Sequence, residues 1–259
     1  MMKLNEIIEA MEEVASLKTA AEWDNSGLQI DVGKDDVEKV FIALEITNDI
    51  IREAKENNAD LIITHHPLIF DPLMKVDRNT LTGNYIIELF NSGISVCSAH
   101  TNFDEVSGGN NDYIASLLNL KNVEKYGDDA LIYTGELLEA TSFSEVCELV
   151  KSALRLEIKF MNATGNPAAK IAKIGVCAGS GSSMIDNAIA AGCDLFITGD
   201  VRYHDARYAA EKGICLLDAW HYGMERFFPE NYSKKLKAVT EDRIEIVTSL
   251  LNLDPFYNC

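Results

Sequence analysis

The chain has 259 residues, of which 47% are hydrophobic and 25% charged; this is ordinary for soluble globular proteins and enough for one large domain or two modest ones. Lys and Arg number 23 against 41 Asp and Glu, a formal net charge of -18, and a field of that sign argues against nucleic acid as a partner. No apolar run approaches the roughly 18 residues that a membrane span requires, and the opening Met-Met-Lys-Leu-Asn-Glu lacks the apolar core of a signal peptide, so a cytoplasmic protein is expected.

Leu4, Ile7, Ile8, Met11 and Val14 recur at helical spacing, which predicts an amphipathic helix at the start. Apolar runs at Val40–Ile46, Leu61–Thr64, Ile94–Ser98, Ile174–Cys177, Leu195–Thr198 and Ile214–Leu217 then alternate with helical patterns at Asp49–Asn57, Tyr85–Asn91, Ile185–Ala191 and Tyr203–Lys212. Alternation of this kind predicts βαβ units, and strands apolar throughout suit a parallel sheet covered on both faces. Six cysteines without Cys-x-x-Cys spacing exclude a zinc ribbon or a thioredoxin-type motif. Cys97, Cys177, Cys193 and Cys215 lie in or beside apolar segments and read as small buried thiols.

Lys39–Thr64 and Lys173–Thr198 run in parallel 134 positions apart, and Asp60-Leu-Ile-Ile-Thr64 matches Asp194-Leu-Phe-Ile-Thr198 without a gap. Gly93-Ile94 and Ala99-His100 are echoed by Gly213-Ile214 and Ala219-Trp220-His221. The order of two successive elements is kept, so the expected architecture is α/β with two similar lobes from an internal duplication. Each lobe is expected to be a mainly parallel sheet flanked by helices, with a site in the cleft between them. The first lobe spans 1–125 and the second 126–240, joined near 125. A C-terminal strand at Arg243–Val247, within 241–259, is free to return to the first lobe.

The five histidines, His65, His66, His100, His204 and His221, each follow an expected strand by a few residues, where open α/β sheets bind their ligands. Beyond the end of a strand, His65 and His66 can both reach one site, and two neighbouring imidazoles suit two adjacent metal ions; a loop His beside a surface His is the plainer alternative. His100…Asp104 and His221…Glu225 repeat a His with a carboxylate four residues on. Such a pair shares one helix face and is a donor set for zinc, iron or manganese, although a salt-bridged helix start uses the same spacing. Trp23-Asp-Asn-Ser-Gly-Leu-Gln29 reads as a turn packing Trp23 on the core. Cys177-Ala-Gly-Ser-Gly-Ser-Ser183 resembles an anion-binding turn without Walker or dinucleotide spacing. His204 is placed outside the set of ligands.

Taken together these motifs resemble the GTP cyclohydrolase 1 type 2 homologue family, also called the Nif-three-like family. The resemblance runs from the Trp23–Gln29 segment through Thr64-His-His-Pro67, His100-Thr-Asn-Phe-Asp104 and Gly199-Asp-x-x-Tyr-His204 to His221…Glu225 and Asp254-Pro-Phe256. It implies two lobes with a dinuclear metal site of two divalent ions per chain, held by His65, His66, Asp104, His221 and Glu225, the last bridging the ions. It also implies a homo-oligomer, a toroidal hexamer, and a GTP cyclohydrolase activity. A metal-dependent hydrolase of a nucleotide-like or other small-molecule substrate is therefore expected, with His100 as an orienting residue or proton shuttle. The alternative is a metal-carrying scaffold or metal-insertion partner without catalysis. The family usually has Gly before the late His and Thr before the Glu, where this chain has Trp220 and Met224, and Glu45 stands where Asp is usual; the bulk of Trp220 reshapes the expected pocket.

Overall fold

The computed structural model describes residues 1–127, 131–156 and 160–257. Its chain forms two units, Met1–Val106 with Phe227–Asn252, and Ser107–Arg226 with Leu253–Cys259.

The first unit opens with β1 (Met2–Lys3) and α1 (Leu4–Val14), whose buried face is Leu4, Ile7, Ala10 and Met11, spaced three and four residues apart as on one side of an amphipathic helix. β2 (Gly27–Ile30), β3 (Asp36–Val37), β4 (Lys39–Ala43), α2 (Asn48–Glu56), β5 (Leu61–Thr64), α3 (Leu81–Ser92), β6 (Ser95–Ser98) and α4 (Thr101–Glu105) follow. α3 is bounded by local chemistry: the Thr80 hydroxyl accepts from Gly83 N–H at its start, and Gly93 at φ 66° closes it. All four residues of β5 and of β6 are buried.

In the second unit come α5 (Asn110–Leu117), β7 (Lys121–Lys125), β8 (Tyr133–Ser142), α6 (Phe143–Ala153), β9 (Asn162–Thr164), β10 (Lys170–Val176), α7 (Ile185–Ala190), β11 (Leu195–Thr198), α8 (Tyr203–Lys212), β12 (Cys215–Asp218) and α9 (His221–Glu225). α10 (Phe228–Val239) and β13 (Glu245–Thr248) then complete the first unit.

The first sheet has the order β13-β4-β5-β6-β2, parallel except for β2. The second, β7-β8-β10-β11-β12-β9, is parallel only through β10-β11-β12. A mainly parallel sheet is thus found in the first unit, while the second is mixed. The antiparallel strands escape a search for apolar runs because they are half exposed: β8 buries Tyr133, Thr134 and Gly135, and the rest of its length is partly or fully exposed.

The units also join elsewhere than expected. β7 pairs with β8, which places residues 121–125 in the second unit. α10, expected in the second lobe, packs on α1 and β4, with Phe228 and Tyr232 rings 5.4 and 5.0 Å from Phe103. The C-terminal strand does return to the first sheet, beside β4; residues 258–259 of the segment expected to contain it lie outside the described residues.

One device recurs in both sheets. An Asp60 carboxylate oxygen accepts from Glu38 and Lys39 N–H at 2.7 and 3.1 Å, and one of Asp194 accepts from Ala172 and Lys173 N–H at 2.8 and 2.9 Å. Each aspartate, one residue before its strand, accepts from two successive backbone N–H groups at the neighbouring strand just ahead of the parallel pairing, where those donors would otherwise lack partners. Burial alone would raise the Asp60 carboxyl, but Lys34 and these two amides outweigh it and hold it below the usual range.

Cys97, Cys177, Cys193 and Cys215 are buried thiols, and burial pushes the Cys97 thiol up to about 12. Among the described residues no helix is long and apolar enough to cross a membrane.

Candidate metal centre

Each unit carries its own set of donors at the carboxyl ends of its parallel strands. In the first, His65 and His66 follow β5, and both backbone N–H groups donate to the Leu44 carbonyl, at 3.0 Å each. One acceptor thus bends the chain out of the strand, so that the two imidazoles no longer fall on opposite faces as strand geometry would place them; their rings lie 5.2 Å apart. His65 is fully buried. Its Nδ1 donates to the Ala99 carbonyl at 2.8 Å, and its Nε2 lies 3.7 Å from Asp104 Oδ1. His66 Nδ1 lies 3.8 Å from Glu45 Oε2.

His100 caps the end of β6, its ring 5.1 Å from that of His65 and 5.9 Å from that of His66. Its Nδ1 donates to Asp24 Oδ1 at 2.8 Å. The same carboxylate accepts from the hydroxyls of Thr101 and Ser26 at 2.6 and 2.7 Å and from the N–H of Asn25 and Thr101. Burial would raise the Asp24 carboxyl; the bonds from His100, Thr101 and Ser26 outweigh it and hold it well below the usual carboxylate range. Asp24 is therefore an anion that fixes the His100 tautomer and turns Nε2 outward as an acceptor. The Trp23–Gln29 segment does not pack Trp23 on the core: Trp23 is 60% exposed, and the segment spends its polar side chains on the end of β6.

In the second unit, His221 and Glu225 share one face of α9. His221 Nδ1 donates to Asp200 Oδ2 at 2.7 Å, and its Nε2 sits 2.9 Å from Glu225 Oε2. Glu225 is 2% exposed. Gly179, at φ +66°, leaves the space that the Glu225 carboxylate occupies, since a β-carbon there would collide with Oε1. The Gly181 amide donates to Thr198 Oγ1 at 2.8 Å. The glycine–serine turn thus makes room for Glu225 and braces β11. His204 stands on exposed α8, its ring 5.3 Å from that of Tyr203.

Trp220 precedes His221 at φ 65°, ψ 139°, a region that essentially only glycine occupies without strain. A glycine at this position would carry no such strain. Trp220 is held by its N–H to Asp218 Oδ1 at 3.1 Å, by Nε1–H to the Phe160 carbonyl at 3.0 Å, and by the Phe256 ring 6.1 Å away. Burial pushes the Asp218 carboxyl up.

The donor sets fit a divalent metal. Imidazole nitrogen with carboxylate oxygen is the chemistry of zinc, iron and manganese sites. The Nδ1 groups of His65 and His221 are each committed to a carbonyl or carboxylate, the orienting arrangement typical of metal-ligating histidines. Asp24 and Asp200, which do the orienting, were not anticipated as functional, although both lie in segments singled out above. Linking Asp24 to His100 requires the pairing of β2 with β6, which no local pattern announces.

The model of the Duf34/NIF3 (NGG1p interacting factor 3) family matches residues 2–255. The chain belongs to the Duf34/NIF3 family. A Clostridium perfringens relative called "GTP cyclohydrolase 1 type 2 homolog" is 35% identical, with 98% of this chain and 99% of that protein covered. A Helicobacter pylori protein called "GTP cyclohydrolase 1 type 2" is 34% identical over 88% of this chain and 89% of its own. The crystal structure of a Staphylococcus aureus hypothetical protein, 26% identical, superposes with a TM-score of 0.90 over 100% of this chain and 99% of that one. The Duf34/NIF3 match thus spans both units.

Proposed function

We propose that this Duf34/NIF3 protein is a metal-dependent hydrolase of a nucleotide-like or other small substrate. His65, His66 and Asp104 of the first unit and His221 and Glu225 of the second are its ligands. The observation that carries the reading is the matched pair of histidine–carboxylate sets, each with its imidazole fixed through the nitrogen that does not face the carboxylate. The names of the Clostridium and Helicobacter relatives support a nucleotide substrate. Bound there, a pair of divalent cations would supply Lewis-acid polarisation and lower the pKa of a coordinated water.

The protein's own residues do the rest. Asp104 and Glu225 bring negative charge that balances the cations, and their burial raises the strength of that interaction. His100, with Nδ1–H committed to Asp24, accepts a proton at Nε2 and returns it. The identical order β4-β5-β6 and β10-β11-β12, with the matched Asp60 and Asp194 braces, supports descent of both units from one ancestral unit by duplication. A cytoplasmic homohexamer is the expected assembly, and sedimentation at micromolar protein checks it against a monomer.

Purified protein loaded with zinc, iron or manganese is assayed for release of product from GTP and other nucleotides, alongside His66→Ala. Turnover lost in His66→Ala supports the proposal. Metal bound without turnover of any nucleotide tested favours a metal-carrying scaffold, and metal bound equally by His66→Ala overturns the site.

A further inference from the structure

The segment that orients His100 also carries an exposed ring. Trp23 is 60% exposed and Phe70 48% exposed, and their rings lie 6.0 Å apart at 54°. Both meet the His100 ring edge-on, at 6.1 Å and 76° for Trp23 and 6.3 Å and 79° for Phe70. All three belong to the first unit.

These rings are held. Asn25 Nδ2 donates to the Ile69 carbonyl at 2.6 Å, Ile69 N–H donates to Gln29 Oε1 at 3.0 Å, and Gln29 Nε2 donates to the Asn25 carbonyl at 2.5 Å. The two amide side chains therefore clamp the loop bearing Trp23 to the loop bearing Phe70. Asp24, next to Trp23, is anchored to His100, Thr101 and Ser26. A free aromatic side chain gains nothing in stability from such fixing, whereas a preorganised pair binds a flat partner at low entropic cost.

We propose that Trp23 and Phe70 form a stacking subsite for the planar heterocycle of a purine-sized substrate, which sets its reacting end toward His100. The inference deepens the hydrolase reading and rests on it only for the role of His100. Two exposed rings beside an imidazole match a nitrogen heterocycle, whose faces stack on aromatic side chains. Phe70 also begins a run of exposed apolar residues that includes Leu73 and Met74, so burial between copies of the chain is the competing use of these rings.

The chain has two tryptophans, so Trp220→Phe leaves Trp23 as the single tryptophan, excited selectively at the red edge of its absorption. The chelator-treated Trp220→Phe protein is titrated with guanosine, with GTP and with inorganic tripolyphosphate. Saturable quenching by guanosine and GTP, none by tripolyphosphate, and about tenfold weaker binding in the added Phe70→Ala variant are expected, stacking on one ring being of that order. Should Phe70→Ala fail to fold, Phe70→Leu keeps the bulk and removes the ring, and it too must weaken quenching. Silence toward guanosine and GTP, or an equal response to tripolyphosphate, overturns the inference. So does an emission that shifts on dilution of the protein and ignores all three ligands, which assigns the rings to an interface between copies. Metal uptake without quenching defeats this inference alone; quenching in a protein that binds no metal defeats the hydrolase reading alone.

Discussion

Replacing Asp24 with asparagine keeps the size of the side chain and removes its charge. The two carboxylate oxygens together accept from His100 Nδ1, two hydroxyls and two backbone N–H groups. The hydroxyls of Ser26 and Thr101 can rotate to become acceptors, but the backbone donors cannot. Asn25 N–H points at Oδ1 and Thr101 N–H at Oδ2, so whichever oxygen becomes the amide NH2 faces a fixed donor. Losing one satisfied donor and the charge-assisted bond to His100 is expected to cost about 2–3 kcal/mol. Urea unfolding followed by far-UV circular dichroism, with chelator present to remove any linkage to metal, measures it. The pH dependence has a definite sign. Asp24 has its folded pKa depressed, so its contribution is complete above the ordinary carboxylate value of about 4 and fades as pH falls below it. The difference between wild type and Asp24→Asn should therefore be flat at neutral pH and shrink under acid. A difference below about 0.5 kcal/mol, within ordinary surface effects, or one that grows on acidification, would refute the assignment of Asp24 as a buried, multiply bonded anion.

Trp220→Gly and Trp220→Ala both lose the ring, but only glycine relieves the backbone at φ 65°. Glycine should be the more stable by about 1–2 kcal/mol, the reverse of the usual order in regular structure, and equal unfolding midpoints would remove strain from the account. Asp60→Ala should destabilise by about 1–3 kcal/mol and Asp194→Ala by less, because Asp194 is exposed and Asp60 also binds Lys34; thermal melts that rank them the other way contradict the brace. Glu225→Gln should lose bound metal while His204→Ala retains the wild-type amount, checked by elemental analysis of the purified variants. Metal added at 100 times its Kd should stabilise the wild type by about 2.7 kcal/mol, and a melt unmoved by chelator speaks against a site in the folded protein.

Much of the scaffold was legible because it rests on period and composition. A strand covered on both faces must be apolar along its length, so Leu61–Thr64 and Leu195–Thr198 were read to the residue. α1 follows from spacing, and the donors gather at strand ends because that is where helices leave the sheet. β7 and β9, the edges of the second sheet, and β8 beside β7 were not legible: all three are partly exposed, and only pairing with a neighbour defines them. Nor could the sequence assign α10, whose Phe228, Tyr232 and Leu236 would suit any apolar face, until Phe103 and α1 supplied one. At the site, the chain order names His221 with a carboxylate four residues on, since both lie on one face of α9; in the first unit Asp104 faces His65 and His100 faces Asp24. That Asp24 holds His100, that the Leu44 carbonyl turns His65 and His66 out of the strand, and that Trp23 stands in solvent beside Phe70 were decided by tertiary structure. Each of these joins residues that chain position leaves unrelated, and only the pairing of strands and the clamping of loops brings them within the reach of a hydrogen bond.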